Sequence, residues 1–388
     1  MNRTSFLVRA LCGILLAFPA AASAQSGKRT QNQESLKQEA AMAIRRGVAF
    51  LEKAQAANGS IGDPEQPAIT ALSVLAVLGD PGRDPQSLPE AAKRGYDFIA
   101  STAQPDGGLY VKGLANYNTS ICLTALMAHP KGDLRPLARK ARAFVTGLQQ
   151  DNEEKGALDH SHDGGIGYGG SSKFSDLSNT HFALEALYYA KALDAEQPPS
   201  PNDPKLNYDA AIAFVSRCQN LKAHNDATWV SEDAANKGGF IYEPGVSKAG
   251  EQDVGNGKKA LRSSGSISYA GLLSLIYANL TPKDERVEAV LGWLQDNFSA
   301  TENPGLGGQG LYYYYHSMAK ALTTLNMSEL KKSDGTVIDW RQEVGNRILN
   351  AQQPSGGWTN PTARWRESDE VYATALATLT LIHIHNSL

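Results

Sequence analysis

The sequence predicts an all-α chain closed into an α/α toroid (an α6/α6 barrel) of about six helix-pair repeats, on three observations. A two-part unit recurs six times along the chain, and a unit that cannot bury its apolar face alone must stack on its neighbours. The first part of each unit is amphipathic, with Lys, Arg and Glu on one face. The second is small and apolar on nearly all sides, which places it inside a ring and the first part outside. No sustained alternation of the kind a strand needs occurs anywhere.

In chain order the outer segments read RRGVAFLEKAQAANGSIG (45–62), KRGYDFIASTAQPDGGLY (93–110), ARAFVTGLQQ (141–150), AAIAFVSRCQN (210–220), VEAVLGWLQDNF (287–298) and VGNRILNAQQPSGGW (344–358). The third runs on to GGIGYGG (164–170), the fourth to GGFIY (238–242) and the fifth to GLGGQGLY (305–312). Each is followed by its inner segment: PAITALSVLAVL, NTSICLTALMA, NTHFALEALYYA, SISYAGLLSLIYA, YYHSMAKALTTL and VYATALATLTLIHI. Glutamine at the end of an outer helix can bond groups that the helix leaves unpaired. Glycine then supplies the backbone angles needed to reverse into the inner helix.

The N-terminal stretch reads differently. Arg3, Arg9, an apolar run from Ala10 to Phe18 and the triplet Ala22-Ser23-Ala24 make the pattern of a secretory signal peptide over 1–24, cut before Gln25. The expectation is an exported chain, periplasmic or secreted. Its apolar run is too short for a permanent span, and Cys12 lies inside it, away from where a lipid-modified cysteine would stand. Residues 25–40 read as an N-terminal linker and 41–388 as one toroid domain, with long loop insertions in the third and fourth repeats. The formal net charge of −3, with both signs scattered, argues against a nucleic-acid partner. Cys122 and Cys218 sit in apolar helical patterns and read as buried thiols.

The element basic-Gly-x-x-aromatic-aliphatic-x-x-x-Gln followed by Gly-x-Trp resembles the repeat of the squalene–hopene cyclase and protein prenyltransferase superfamily. The last copy carries Leu349, Gln353, Gly356 and Trp358, and the first carries Arg46, Gly47, Phe50, Leu51 and Gln55. Gln149 and Gln219 fit, Gln104 is one residue late, and Phe298 stands at the glutamine site of the fifth copy. The resemblance covers nearly all of the mature chain that would begin at Gln25. It implies a central cavity, lined by inner-helix N-termini and the loops before them, that holds an apolar, isoprenoid-like small molecule.

The resemblance also implies where catalytic groups would stand. Class II cyclases protonate an alkene with the middle Asp of Asp-x-Asp-Asp-Thr. Here the matching stretch is Asp176-Leu177-Ser178-Asn179-Thr180, without the donating acids. The last repeat offers Glu367-Ser368-Asp369-Glu370, so Asp369 and Glu370 are the candidate catalytic acids of a relocated pair; the alternative is a carboxylate that caps its helix. Prenyltransferases hold zinc with Asp, Cys and His. His316 follows Tyr312–Tyr315 as their histidine follows an aromatic stretch, but the Asp-x-Cys place reads Ser263-Ser264-Gly265-Ser266-Ile267-Ser268-Tyr269. No zinc, other metal or cofactor is therefore implied.

The expected ligand-binding residues are Tyr117, Asn118, Asn179, His181, Tyr269, Tyr312, Tyr313, Tyr314, Tyr315, His316 and Tyr372, since aromatic faces pack against apolar chains and stabilise cations. The loop Leu158-Asp159-His160-Ser161-His162-Asp163 holds competent metal ligands, with an ordinary polar loop as the alternative. Lys173, Lys248, Lys258 and Lys259 lie in the long insertions, that of the fourth repeat covering roughly 221–265. No Gly-x-Ser-x-Gly, P-loop, His-Glu-x-x-His, Cys-x-x-Cys or Gly-Cys-Gly-Glu-Gln element occurs. Two other functional classes stay open: a non-catalytic scaffold that uses its rim loops on a protein partner the sequence does not specify, and a toroid enzyme acting on polysaccharide. Contact with a membrane surface is compatible with the first reading.

Overall fold

The computed structural model describes residues 26–170, 174–255 and 259–388. The expected signal peptide, and Lys173 and Lys258 of the long loops, lie outside the described residues. Helices follow in outer–inner pairs: α1 (Ser26–Lys53) and α2 (Pro67–Leu78), α3 (Glu90–Ser101) and α4 (Ala115–Ala128), α5 (Arg135–Gly147) and α6 (Leu177–Ala190). After a short α7 (Ala192–Glu196) come α8 (Tyr208–Arg217) and α9 (Gly265–Tyr277), α10 (Glu285–Asp296) and α11 (Leu311–Thr324), α12 (Trp340–Ala351) and α13 (Glu370–Ser387). Two small antiparallel hairpins interrupt the helices: β1 (Glu251–Asp253) with β2 (Lys259–Leu261), and β3 (Leu330–Lys331) with β4 (Val337–Ile338).

The inner helices touch in the cyclic order α2, α4, α6, α9, α11, α13 and back to α2, so the ring is closed. Their composition dictates the place. Every residue of α4 but Tyr117 is buried, whereas α3 buries only Ala92, Gly95, Tyr96, Phe98 and Ile99. The expected α/α toroid is the observed fold. One boundary differs: the stretch expected as a linker is helical from Ser26, and Leu36 and Ala40 are buried. Helix α1 packs on α13 and α12, which brings the first repeat against the last.

The glutamine-to-glycine turn is a staple between repeats. Gln55 Nε2 donates to the carbonyls of Gly59 and Ala91, and Gln219 Nε2 to those of Gly238 and Arg286. Gln149 makes the same pair with Gly164 and Asn207. In the sixth repeat this residue is Gln352, not Gln353: its Nε2 reaches Gly356 and Ala43. In each case one bond closes the turn and the other grips the next outer helix, near its start for Gln55, Gln149 and Gln219 and within α1 for Gln352. The glycine is obligatory because the chains approach so closely. At Gly164 (φ +83) a Cβ would sit 2.0 Å from the Ala210 carbonyl oxygen, in a backbone region that L-residues resist. Gln104 departs from the pattern, spending its amide inside its own turn on Thr102 and Tyr110.

Gln219 is 1 % exposed, so Gln219→Ala should strand a buried carbonyl at Gly238 and a part-buried one at Arg286 and lower unfolding free energy by about 2–3 kcal/mol. Urea denaturation measures this, and a loss below about 0.5 kcal/mol would contradict the staple.

Candidate functional site

All six inner helices point their N-termini at the same end of the ring, and a cavity of about 270 Å³ opens between them. A single water needs roughly 10–15 Å³ on this measure, so the space is of ligand size and not a packing defect. Each inner helix contributes through its first turns: Ile69 from α2, Tyr117 from α4, Ser178 and Phe182 from α6, Ile267 from α9, Tyr313 from α11 and Tyr372 from α13. The rim adds Tyr168, Tyr242, Lys248, Leu306 and the run Trp365, Arg366, Glu367. The walls are mostly apolar and aromatic. Phe182 stands edge-on to Tyr117 at 5.2 Å and 5.9 Å from Tyr313, while the Tyr117 hydroxyl donates to that of Tyr372 at 3.2 Å. Burial pushes the Tyr117 phenol up to about 12, so it stays a neutral hydroxyl.

Four of the sequence-expected ligand residues line this cavity: Tyr117, Asn179, Tyr313 and Tyr372. The others do not. A helix turns about 100° per residue, so four consecutive tyrosines cannot share one face. Tyr313 alone of the run faces the axis. Tyr314 and Tyr315 turn outward, donating to the carbonyls of Ser299 (3.0 Å) and Ala300 (2.6 Å), and Tyr312 stacks edge-on to Tyr315. Tyr269 is fully buried against Tyr314. Asn118 caps the neighbouring helix, its Oδ1 accepting from Ala68 N and its Nδ2 donating to Gln66. That cap is needed because Gln66, the N-cap of α2, makes no side-chain cap bond.

Asp369 and Glu370 also stand apart from the cavity lining. Asp369 accepts from the amides of Val371 and Tyr372 and so caps α13, the second of the two roles the sequence left open for it. Glu370 accepts from Ser355 Oγ at 3.1 Å, on the side of the outer turn. The carboxylates nearest the cavity are others. Glu367 is fully buried and lines it; Oε1 accepts from Tyr313 N at 2.8 Å and Oε2 from Asn360 Nδ2 at 2.7 Å. Asp176, the N-cap of α6, lies behind the wall and accepts from Asn179 on both oxygens. Burial raises its carboxyl to about 6, opposed by those hydrogen bonds and by one from Tyr242. Tyr242 in turn meets Tyr168, hydroxyl to hydroxyl, at 2.9 Å.

His181 and His316 lie deeper along the axis. A second space, about 60 Å³, lies between the C-terminal halves of the inner helices. His316 lines it with Glu185, Lys320 and His383, whereas His181 is sealed behind it against Tyr277. Burial pushes the His181 imidazole down to about 3 and His316 well below the usual histidine range, so both are neutral at pH 7. Among the described residues no group of three or more His, Cys, Asp or Glu could hold a metal. The histidines of the 158–163 loop are engaged by backbone groups: His162 Nδ1 meets the Ser175 carbonyl, and His160 Nδ1 accepts from His162 N.

Sequence reasoning missed Phe182, Tyr168, Tyr242, Trp365 and Glu367. A signal existed for two of them, because an aromatic closes the glycine turn in GGLY, GIGY and GGFIY. Tyr168 and Tyr242 are the second and third of these.

No protein-family model and no curated protein sequence matches the chain. Solved structures do. The ligand-free type II terpene cyclase MstE from Scytonema is 13 % identical, with a TM-score of 0.54 over 91 % of this chain and 99 % of that one. An MstE variant in complex with geranylgeranyl dihydroxybenzoate, its substrate, is 12 % identical, with a TM-score of 0.53 over 92 % and 99 %. Another, with the product merosterolic acid A, is 12 % identical, with a TM-score of 0.52 over the same shares. At this identity the likeness establishes the fold.

Proposed function

We propose that this chain binds an apolar, isoprenoid-like molecule in the cavity at the inner-helix N-termini, and that it does so as an exported protein whose rim meets a lipid surface. The observation that carries the reading is the aromatic-walled cavity of about 270 Å³, to which all six inner helices contribute. Its walls suit hydrocarbon, which gains about 25 cal/mol per Å² of apolar surface removed from water. MstE, a protein of the same fold, is known in complex with a geranylgeranyl substrate. The rim supports delivery from lipid: Phe174 is 64 % exposed, and Trp365, Tyr168, Val246 and Val111 on the same set of loops are exposed too. Export rests on the pattern of residues 1–24.

Binding without cyclisation is the version we adopt. Ser178 and Asn179 cannot protonate an alkene, and Asp369 and Glu370 stand outside the lining. Asp176 lies behind the wall and not in the lining, and Glu367 spends both oxygens as acceptors. Burial raises the Glu367 carboxyl overall, and the donors that hold it favour its anion against that rise. The polysaccharide alternative is disfavoured by the lining, which has one carboxylate and one tryptophan where a sugar site needs several.

The test is saturable binding of a linear C20 isoprenoid hydrocarbon, followed by tryptophan quenching and by mass spectrometry of the recovered ligand. Wild type should bind it and return it unchanged. Ser178→Trp, which fills the cavity from its wall, should abolish binding with the helical circular dichroism intact. Absence of binding, or equal binding by that variant, overturns the reading; a cyclised product overturns its non-catalytic part.

A further inference from the structure

The two axial spaces share a single lining residue, Phe182. The stripe of α11 that faces the axis is Tyr313, His316 and Lys320, and that of α6 is Ser178, Phe182 and Glu185, each at helical spacing. Aliphatic walls therefore continue downward past Phe182 through Leu72, Leu75, Ile121, Leu379 and Ile382. They end on a polar group: Lys320 Nζ donates to Glu185 Oε1 at 2.6 Å, and His316 and His383 face one another with centroids 5.7 Å apart.

Most of the hydrogen-bonding capacity of this group is spent internally, but one atom stands out. His316 is 5 % exposed and lines the space, and its Nδ1 has no hydrogen-bond partner. An unmet buried polar atom costs about 1–3 kcal/mol, so it needs an explanation. A water would find partners only at that polar end, whereas the rest of the wall includes Leu72, Leu75, Leu78, Ile121, Leu379 and Ile382, which suits an apolar chain.

Resting on the ligand reading above, we propose that the lower space is a second subsite that receives the end of the same apolar chain, and that this end carries a neutral oxygen, a hydroxyl or carbonyl, hydrogen-bonded by His316 beside the Lys320–Glu185 pair. Neutrality follows from charge balance. Lys320 is already matched by Glu185, and burial keeps the His316 imidazole uncharged, so a ligand carboxylate would add an unmatched negative charge beside the pair. An alcohol or ketone meets the imidazole at no such cost. Phe182 would have to swing aside to let the chain through, away from its ring contacts with Tyr117, His181 and Tyr313.

The experiment compares three probes on the purified full-length protein: all-trans geranylgeraniol, the same C20 chain ending in hydrogen, and geranylgeranoic acid. The alcohol should bind roughly three- to tenfold tighter than the hydrocarbon, the worth of one hydrogen bond, and tighter than the acid. In His316→Phe the alcohol should fall to the level of the hydrocarbon, whose own affinity stays within about twofold. An alcohol preference that survives in His316→Phe, equal binding of alcohol and hydrocarbon, or a preference for the acid overturns this subsite and leaves the ligand reading standing. Failure of all three probes to bind overturns both. The probe series on the unaltered protein decides the matter even if the variant folds poorly.

Discussion

Lys320→Met is expected to cost about 3–5 kcal/mol of folding stability, the range for breaking a buried ion pair by removing one partner. Lys320 and Glu185 have side chains only 12 % and 5 % exposed, on α11 and α6. Those helices are not neighbours in the ring, since α9 lies between them, so the pair ties the ring across its axis. Without Lys320 the Glu185 carboxylate is left in a space walled by aliphatic side chains. His181 offers no rescue. Its Nε2 is 3.8 Å from Glu185, too long for a hydrogen bond, and burial keeps that imidazole neutral.

The sign of the pH dependence follows. With its partner gone, Glu185 is a buried carboxylate without a counter-charge, and burial penalises the charged form only. Protonation at low pH removes that penalty, so the loss is full where the carboxylate is charged and falls as the pH is lowered. The deficit of Lys320→Met should therefore shrink toward pH 4 and be full at pH 7. The double variant Lys320→Met with Glu185→Leu removes both charges and should regain most of the loss. A urea-denaturation cycle over the four proteins at pH 4 and 7 measures this. A pH-independent loss, or a double variant no better than the single, would show that Lys320 matters for packing and not for charge.

The ring was legible because its two ingredients are local. Charge on one face marks an outer helix, and a glycine that must accept φ near +90 marks each turn, so both survive in any one repeat. What failed were readings that needed direction in space. The 25–40 stretch looked like a linker because it is polar, yet Leu36, Ala40, Ala43 and Ile44 already stand at helical spacing and all are buried. The slip from Gln352 to Gln353 has a related cause, since only the contact with the next repeat says which amide is stapled.

The site was legible by level along the axis but not by facing. Placing aromatics at inner-helix starts found Tyr117, Tyr313 and Tyr372, because level depends on sequence position alone. It could not tell Tyr313 from Tyr312, Tyr314 and Tyr315, since facing depends on where the neighbouring helices lie. Rim residues supplied from loops, such as Glu367 and Trp365, were hidden for the same reason. Glu367 stands two residues before Asp369, and nothing local says which carboxylate reaches inward. The acid that caps its own helix is the easier one to see.

That distinction sets up the other large effect. Glu367→Ala should lower stability by about 3–4 kcal/mol, although the residue belongs to no helix it caps. The N-cap of α11 is Gly310, at φ +63 and with no side chain to offer. A carboxylate from the loop of the sixth repeat takes its place: Oε1 accepts from Tyr313 N at 2.8 Å, and the amides of Leu311 and Tyr312 also favour its charged form. The group is fully buried, and burial raises its pKa against those bonds. Truncation would strip the first turn of α11 of its acceptor, lose a favourable charge at the helix's positive end, and leave Asn360 Nδ2 with only the Gly308 carbonyl. Glu367→Gln keeps an acceptor oxygen and should lose only about 1–2 kcal/mol. Thermal unfolding orders the three proteins, and hydrogen exchange locates the damage, with the first-turn amides of α11 exchanging faster in Glu367→Ala while those of α4 are unchanged. Because the same turn carries Tyr313 into the cavity, ligand affinity should fall in step with that exchange. If Glu367→Ala were as stable as the parent yet bound no ligand, the carboxylate would be a ligand contact, and the capping account would be wrong.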